Sequence, residues 1–72
     1  MNIREHHFAF TFTETKGGTS TTATGVLSFR NQMVTRPRLS QAREMLKLGD
    51  QAVLMNLSYL GCMTEDEYQD LQ

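Results

Sequence analysis

An apolar run late in the chain most restricts how this sequence can fold. It extends from Ala52 to Leu60 and is followed by Gly61. The run is typical of a third strand, after a hairpin and a helix, and it is apolar toward both faces. Such a strand needs cover on both sides, which a chain of 72 residues can barely provide. The run therefore predicts a surface that the protein shares with something else.

Two segments of alternating polarity indicate an antiparallel hairpin ahead of this run. The first alternates phenylalanine with small residues, and the second resumes the pattern on one face with Ala23, Gly25, Leu27 and Phe29. Between them, Glu14 to Thr22 forms a turn, in which Gly17 and Gly18 adopt positive φ at no steric penalty. A phosphate-binding loop is disfavoured here, because its lysine would follow the glycines and open a helix.

A helix is predicted from roughly Leu39 to Leu48, after the extended residues that Pro37 favours. Ser40 is suited to cap its first turn, and Gly49 to end it in a left-handed conformation. The inward stripe of this helix has helical spacing and comprises Leu39, Ala42, Met45 and Leu46.

The order strand, strand, helix, strand predicts an α+β fold in a single domain over residues 1–72. A right-handed crossover places strand three parallel to strand two, so that strand one is central and the order is 2-1-3. We thus expect β-β-α-β, a three-stranded mixed sheet with one helix packed on one face. A capping box from Thr64 to Glu67 adds a short C-terminal helical turn.

The single helix can cover only one face of this sheet. That face is expected to carry Phe8, Phe10, Phe12, Leu27 and Phe29 with Val53, Met55, Leu57 and Tyr59. The other face is small and Thr-rich, includes Leu54, and has only the last ten residues to cover it. Because uncovered edges and faces pair readily with other chains, we expect homodimerisation through strand three or through this face.

The net charge of −1 conceals two charged blocks. Residues 30–47 carry five basic residues against Glu44 alone, a balance of +4, and residues 61–72 carry four acidic residues and no basic one. The candidate partner-binding residues come from these blocks and are Arg36, Arg38, Arg43, Lys47, Glu65, Asp66, Glu67 and Asp70. Either the blocks neutralise each other across the fold, or one of them steers a charged partner.

No pattern in the sequence supports catalysis, a metal or a cofactor, so we expect a non-enzymatic protein. His6 and His7 are adjacent in a strand, so they point to opposite faces and one ion cannot readily bind both; a surface pair is expected. Cys62 has no activating neighbour in the sequence. A single cysteine, a polar start and no apolar stretch of about 20 residues lead us to expect a cytoplasmic protein without a membrane segment.

The end of the chain resembles the closing segment of small proteins encoded by phages, prophages and plasmids of enteric bacteria. In those proteins an apolar strand runs into Leu-Gly-x-Met-Thr-Glu-x-Glu-aromatic, and Ser58 to Tyr68 follows this pattern here. The resemblance implies a tiny non-enzymatic protein that binds a host machine, as anti-CRISPR and other anti-defence inhibitors do. It carries over no functional residue.

The leading hypothesis is therefore an inhibitor of a host defence complex that acts by surface occlusion. Its partner would be a host protein or a ribonucleoprotein. The alternative is a dimeric nucleic-acid-binding regulator that uses the basic stripe from Arg30 to Lys47. The negative net charge and the commitment of the aromatic residues to the core argue against that alternative.

Overall fold

The computed structural model describes residues 3–69, which form a three-stranded sheet and two helices. The elements in chain order are β1 (Glu5–Lys16), β2 (Thr19–Phe29), α1 (Arg36–Met45), β3 (Val53–Met63) and α2 (Glu65–Tyr68). The β-β-α-β order and the α+β class are confirmed, and so is the short helix after the third strand. Asp70 lies outside the described residues.

The hairpin of β1 and β2 is longer and tighter than the sequence predicts. Only Gly17 and Gly18 separate the strands, and both have positive φ, 55° and 83°, as a type I′ turn requires. Pairing is continuous from Lys16 opposite Thr19 to His6 opposite Phe29. The threonines that were assigned to the turn belong to the strands, where their β-branched side chains are favoured.

The strand order β2-β1-β3 is confirmed, but the sheet is not mixed. Both β2 and β3 pair antiparallel with β1. The two outer strands do run in the same direction, as the crossover argument requires. They are not hydrogen-bonded to each other because β1 lies between them, so every pairing in the sheet is antiparallel.

Two bulges in β3 change which of its residues face the core. The register shifts between His7 and Phe8 and again between Thr11 and Phe12, which leaves Leu60 and Met55 as the extra residues of β3. Leu57 and Tyr59 lie opposite Phe10 and Phe8, as predicted. Beyond the second shift the prediction is wrong. Leu54 lies opposite Phe12, on the core side, and Val53 lies opposite Thr13, on the other face.

Helix α1 begins and ends three residues earlier than predicted. Its N-cap is Thr35, and Pro37 lies in the first turn. Backbone N–H groups in the first turn have no intrahelical acceptor, so proline loses no hydrogen bond there. Leu46 is the C-cap, and Lys47 takes the left-handed conformation with φ 61°. The amide of Lys47 donates to Glu44 O at 3.0 Å and that of Leu48 to Arg43 O at 2.9 Å, which is a Schellman motif. Lys47 therefore occupies the position that was predicted for Gly49.

The core lies between the sheet and α1, on the side that we call the Phe face. Its buried apolar residues are Phe8, Phe10, Phe12, Phe29, Ala42 and Ala52. Helix α1 packs chiefly against β2, and Ala42 is its buried residue. The opposite side, which we call the Thr face, carries hydroxyl pairs across the hairpin. These are Thr11–Thr24 at 3.0 Å, Thr13–Thr22 at 3.1 Å and Thr15–Ser20 at 3.0 Å.

Candidate functional site

Arg38, one of the predicted contact residues, is part of the packing between α1 and the sheet. Its guanidinium carbon lies 4.2 Å from the centroid of the Phe29 ring. Its Nη1 donates to the carbonyl oxygen of Met33 and, at 3.4 Å, to that of Asn31. The half-buried side chain thus holds the β2–α1 connection against the Phe face.

Arg43 also lies over a phenylalanine ring, five residues further along α1. Its guanidinium carbon lies 5.8 Å from the centroid of the Phe12 ring, and its Nη2 donates to Ser40 Oγ at 3.2 Å. Its Nε is buried and has no hydrogen-bond partner among residues 3–69. The two arginines therefore cover the edge of the core, and the sequence did not indicate this because it shows charge but not aromatic neighbours.

The other basic residues of the first block are exposed. Arg36 begins α1 and Lys47 follows its end, so about 16 Å of helix length separates them. Arg30 is exposed at the end of β2, and its Nε lies 3.8 Å from Glu5 Oε2. The structure therefore presents separated cations around α1 rather than a continuous basic stripe.

In the acidic block, Glu67 has a structural role. Its Oε1 accepts from the Thr64 amide at 2.9 Å, while Thr64 Oγ1 accepts from the Glu67 amide at 3.1 Å, which confirms the predicted capping box. Arg4 contacts the same carboxylate, with Nη1 2.7 Å from Oε1 and Nη2 3.1 Å from Oε2. The hydrogen bond from the Thr64 backbone, followed by the contacts with Arg4, lowers the pKa of Glu67 below its usual 4.5.

The remaining described acids of this block are exposed on α2. Glu65 Oε2 accepts a hydrogen bond from Gln69 Nε2 at 2.9 Å. Asp66 is exposed in the same turn. These two carboxylates are therefore the predicted acidic contacts that remain available to a partner.

The basic residues of α1 and the acidic residues of α2 lie on opposite faces of the sheet. Helix α1 lies on the Phe face, whereas Tyr68 of α2 stacks on His7, which points to the Thr face, with 4.9 Å between ring centroids. The ion pairs among residues 3–69 are Arg4–Glu67, Lys16–Glu14 and Arg30–Glu5. None of them joins the two blocks, so within the described chain the blocks do not neutralise each other by direct contact.

Strand β3 carries an apolar surface that neither helix covers. Among residues 3–69 it pairs with β1 on one side and with no strand on the other, so these residues leave its outer edge open. The exposed side chains, which we call the β3 surface, are Val53 at 58%, Met55 at 63%, Leu57 at 40%, Tyr59 at 45% and Leu60 at 43%. Within residues 3–69, the run after α1 is therefore only partly covered, as the sequence led us to expect.

Two buried ionisable side chains were not anticipated from the sequence. His7, predicted at the surface, is only 2% exposed beneath Tyr68, and its Nδ1 lies 3.0 Å from Glu5 O. Glu14 is buried at the far end of β1, where its Oε2 accepts from the Gly49 amide at 2.7 Å. His7 anchors α2 to the sheet through Tyr68, and Glu14 anchors the connection between α1 and β3. Both contacts join residues that are distant in the chain, so the sequence did not indicate them.

His6 and Cys62 face each other across the pairing of β1 and β3. The sequence did not reveal this neighbour of Cys62, which is exposed. The His6 ring is already engaged, with its Nδ1 2.8 Å from Tyr59 Oη. Within residues 3–69, no three side chains of the metal-ligating types come together.

Residues 3–69 enclose no pocket. None of the helices formed by these residues has the length and apolar character that crossing a membrane requires. A comparison with known protein families, curated proteins and solved structures finds no match.

Proposed function

We propose that this chain is a non-enzymatic binding protein that acts by covering a surface of another macromolecule. The observation that carries the proposal is the separation of opposite charges onto the two faces of one thin sheet, without an ion pair between them in residues 3–69. Separated fields of this kind steer charged partners and orient them on arrival. The lack of an enclosed pocket in the same residues favours contact over a surface.

The contact set of this proposal is smaller than the sequence suggested. Arg36 and Lys47 remain on the basic side, and Glu65 and Asp66 on the acidic side. Arg38, Arg43 and Glu67 are engaged within the fold, so their replacement would change stability as well as binding. Binding experiments should therefore use the first four residues.

The narrower proposal is a cytoplasmic, phage- or mobile-element-encoded inhibitor of a host defence complex. Its only support is the resemblance of the segment from Ser58 to Tyr68 to the closing segment of small phage, prophage and plasmid proteins. In this fold several residues of that pattern have structural roles: Gly61 has φ 131°, Thr64 and Glu67 form the capping box, and Tyr68 stacks on His7. The pattern thus specifies how β3 ends and how α2 docks, and it names no contact residue.

Paired charge reversals test the proposal in a pull-down from nuclease-treated host lysate. We expect one pair, either Arg36→Glu with Lys47→Glu or Glu65→Lys with Asp66→Lys, to reduce capture of the partner at least tenfold. Matched controls are Gln51→Glu and Asp50→Lys before β3, both exposed and outside the two blocks. Undiminished capture by both pairs would remove the charged faces as contact surfaces.

The dimeric nucleic-acid regulator remains the second candidate, since the exposed cations around α1 have no acidic partner in the C-terminal block. The residues available for phosphate are Arg30, Arg36 and Lys47. Three such contacts predict a slope of about −3 when log affinity is plotted against log salt concentration. Fluorescence anisotropy with a labelled duplex measures this slope, and binding that is absent or insensitive to salt would exclude the candidate.

A further inference from the structure

We propose that β3 pairs antiparallel with β3 of a second copy of this chain, which joins two sheets into one of six strands. This inference goes beyond the proposed function, because it uses the open edge of the sheet and none of the charged contacts. Edge strands in soluble proteins are protected by charged residues, proline, β-bulges or a covering element, and of these β3 has only its two bulges, which leave Asn56–Tyr59 regular between them. The eleven residues Val53–Met63 contain neither a charged residue nor proline, and the described helices leave the side chains of the β3 surface exposed.

The exposed side chains of the β3 surface supply apolar area beside such a contact. Together, the five side chains expose roughly 500 Å², divided between the two sides of the sheet, with Val53 on the Thr face and Leu57 and Tyr59 on the Phe face. An edge-to-edge contact covers only part of this area. It therefore corresponds to a weak interface, smaller than the roughly 800 Å² per partner of the standard size.

In an isologous antiparallel contact, the residue at the two-fold axis meets its own mate, and every other residue meets the one equally far on the other side of the axis. A charged strand would be repelled in such a contact, but β3 is neutral along its length. Paired residues must share a face, so the two-fold axis passes between one residue and the same residue of the mate. An axis at Leu57 or Ser58 gathers Leu57 and Tyr59 of both copies on the Phe face.

The small core gives the second copy a further role. Only four phenylalanines and two alanines are buried apolar residues between Ile3 and Gln69, and chains of this size often complete their burial by association. Leu57 and Tyr59 lie on the same face as these phenylalanines but remain 40% and 45% exposed. Pairing at β3 would extend the core across the axis and place both copies of α1 on one face.

Sedimentation equilibrium of the full chain, from about 1 to 300 μM, tests this proposal. We expect the mass to rise with concentration toward twice 8.2 kDa. Met55→Lys should weaken the association at least tenfold, because it places a charge two or three residues from the axis, opposite the uncharged β3 of the mate. The matched control is Met33→Lys, which adds the same charge at another exposed methionine, 56% exposed and outside the sheet. Leu60→Lys at the other bulge is the alternative variant if Met55→Lys fails to fold by circular dichroism.

A mass of 8.2 kDa at every concentration, or a dimer that Met33→Lys weakens as much as Met55→Lys, would overturn the proposal. Failure here is distinguishable from failure of the proposed function, because the charge reversals at α1 and α2 leave β3 unchanged. A monomer that still captures its partner contradicts only the dimer. A dimer that captures nothing contradicts only the binding function.

Discussion

Gly25 of β2 lies directly beneath Leu46, so closely that a Cβ built on Gly25 would be 2.9 Å from Leu46 Cδ2. The same Cβ would lie 2.5 Å from Met45 Cε. The end of α1 thus approaches the sheet over the one position of β2 that lacks a side chain. This close approach fixes the height of the helix above the Phe face.

Enlarging this residue should therefore destabilise the protein. We expect Gly25→Val to reduce the free energy of unfolding by about 1–3 kcal/mol, because the valine must displace Leu46, which packs against the core. Urea unfolding measures the change. Thr21→Val is the matched control, since Thr21 is exposed in the same strand and valine favours strands. Equal stability of the two variants would show that α1 does not depend on the gap at Gly25.

Lys47 holds a left-handed backbone at the end of α1, a conformation that disfavours side chains with a Cβ. We expect Lys47→Gly to be more stable than Lys47→Ala by about 1 kcal/mol, because only glycine adopts this φ without strain. Both variants lose the same charge, so their difference in thermal unfolding isolates the backbone. Equal melting temperatures would contradict the strain at this residue.

Arg38 and Arg36 have the same charge in the same helix but different surroundings. Arg38→Ala should reduce stability by about 1–2 kcal/mol, since it removes the contact with the Phe29 ring and the hydrogen bonds to the β2–α1 connection. Arg36→Ala is the control and should change stability by less than about 0.5 kcal/mol. Chemical denaturation of both variants provides the comparison, and a larger loss at Arg36 would refute the assignment.

The attachment of α2 should depend on pH through Glu67. Because the native pKa of Glu67 lies below its ordinary value, its stabilising contribution is complete above pH 4.5 and is lost as the pH falls through the lower native pKa. The Thr64 amide, which donates to this carboxylate, reports the change by NMR. We expect its chemical shift to titrate with a midpoint below 4.5, to do so equally in Glu65→Gln, and to lose this step in Glu67→Gln.

Local signals account for the parts of the fold that the sequence predicted. The hairpin follows from Gly17 and Gly18 between alternating segments, and α2 follows from Thr64 and Glu67 within one turn. The strand order β2-β1-β3 followed from the right-handed crossover that connects β2 to β3 through α1. The bulges at Met55 and Leu60 depend on how β3 fits β1, so strict alternation assigned Val53 and Leu54 to the wrong faces.

The charged residues show the same limit at the candidate site. A sequence gives the sign of the charge on Arg38 and Arg43. Their structural roles arise from contacts with the Phe29 and Phe12 rings, which lie in other elements of the chain. Charge segregation was therefore visible in the sequence, whereas the division between structural and available charges was not. Exposure on β3 was correctly expected, because it follows from the number of covering elements.

The central position of β1 also bears on the order in which the chain folds. β2 reaches β1 through a two-residue loop, whereas every residue from Gly17 to Ala52 separates β1 from β3. Short loops close within microseconds, and distant pairings must wait for a less favourable closure. We therefore expect β3 to join the sheet last. A nascent chain that ends before Val53 holds a completed hairpin whose phenylalanines lack one flanking strand, and during synthesis this interval is when the protein is most exposed to aggregation.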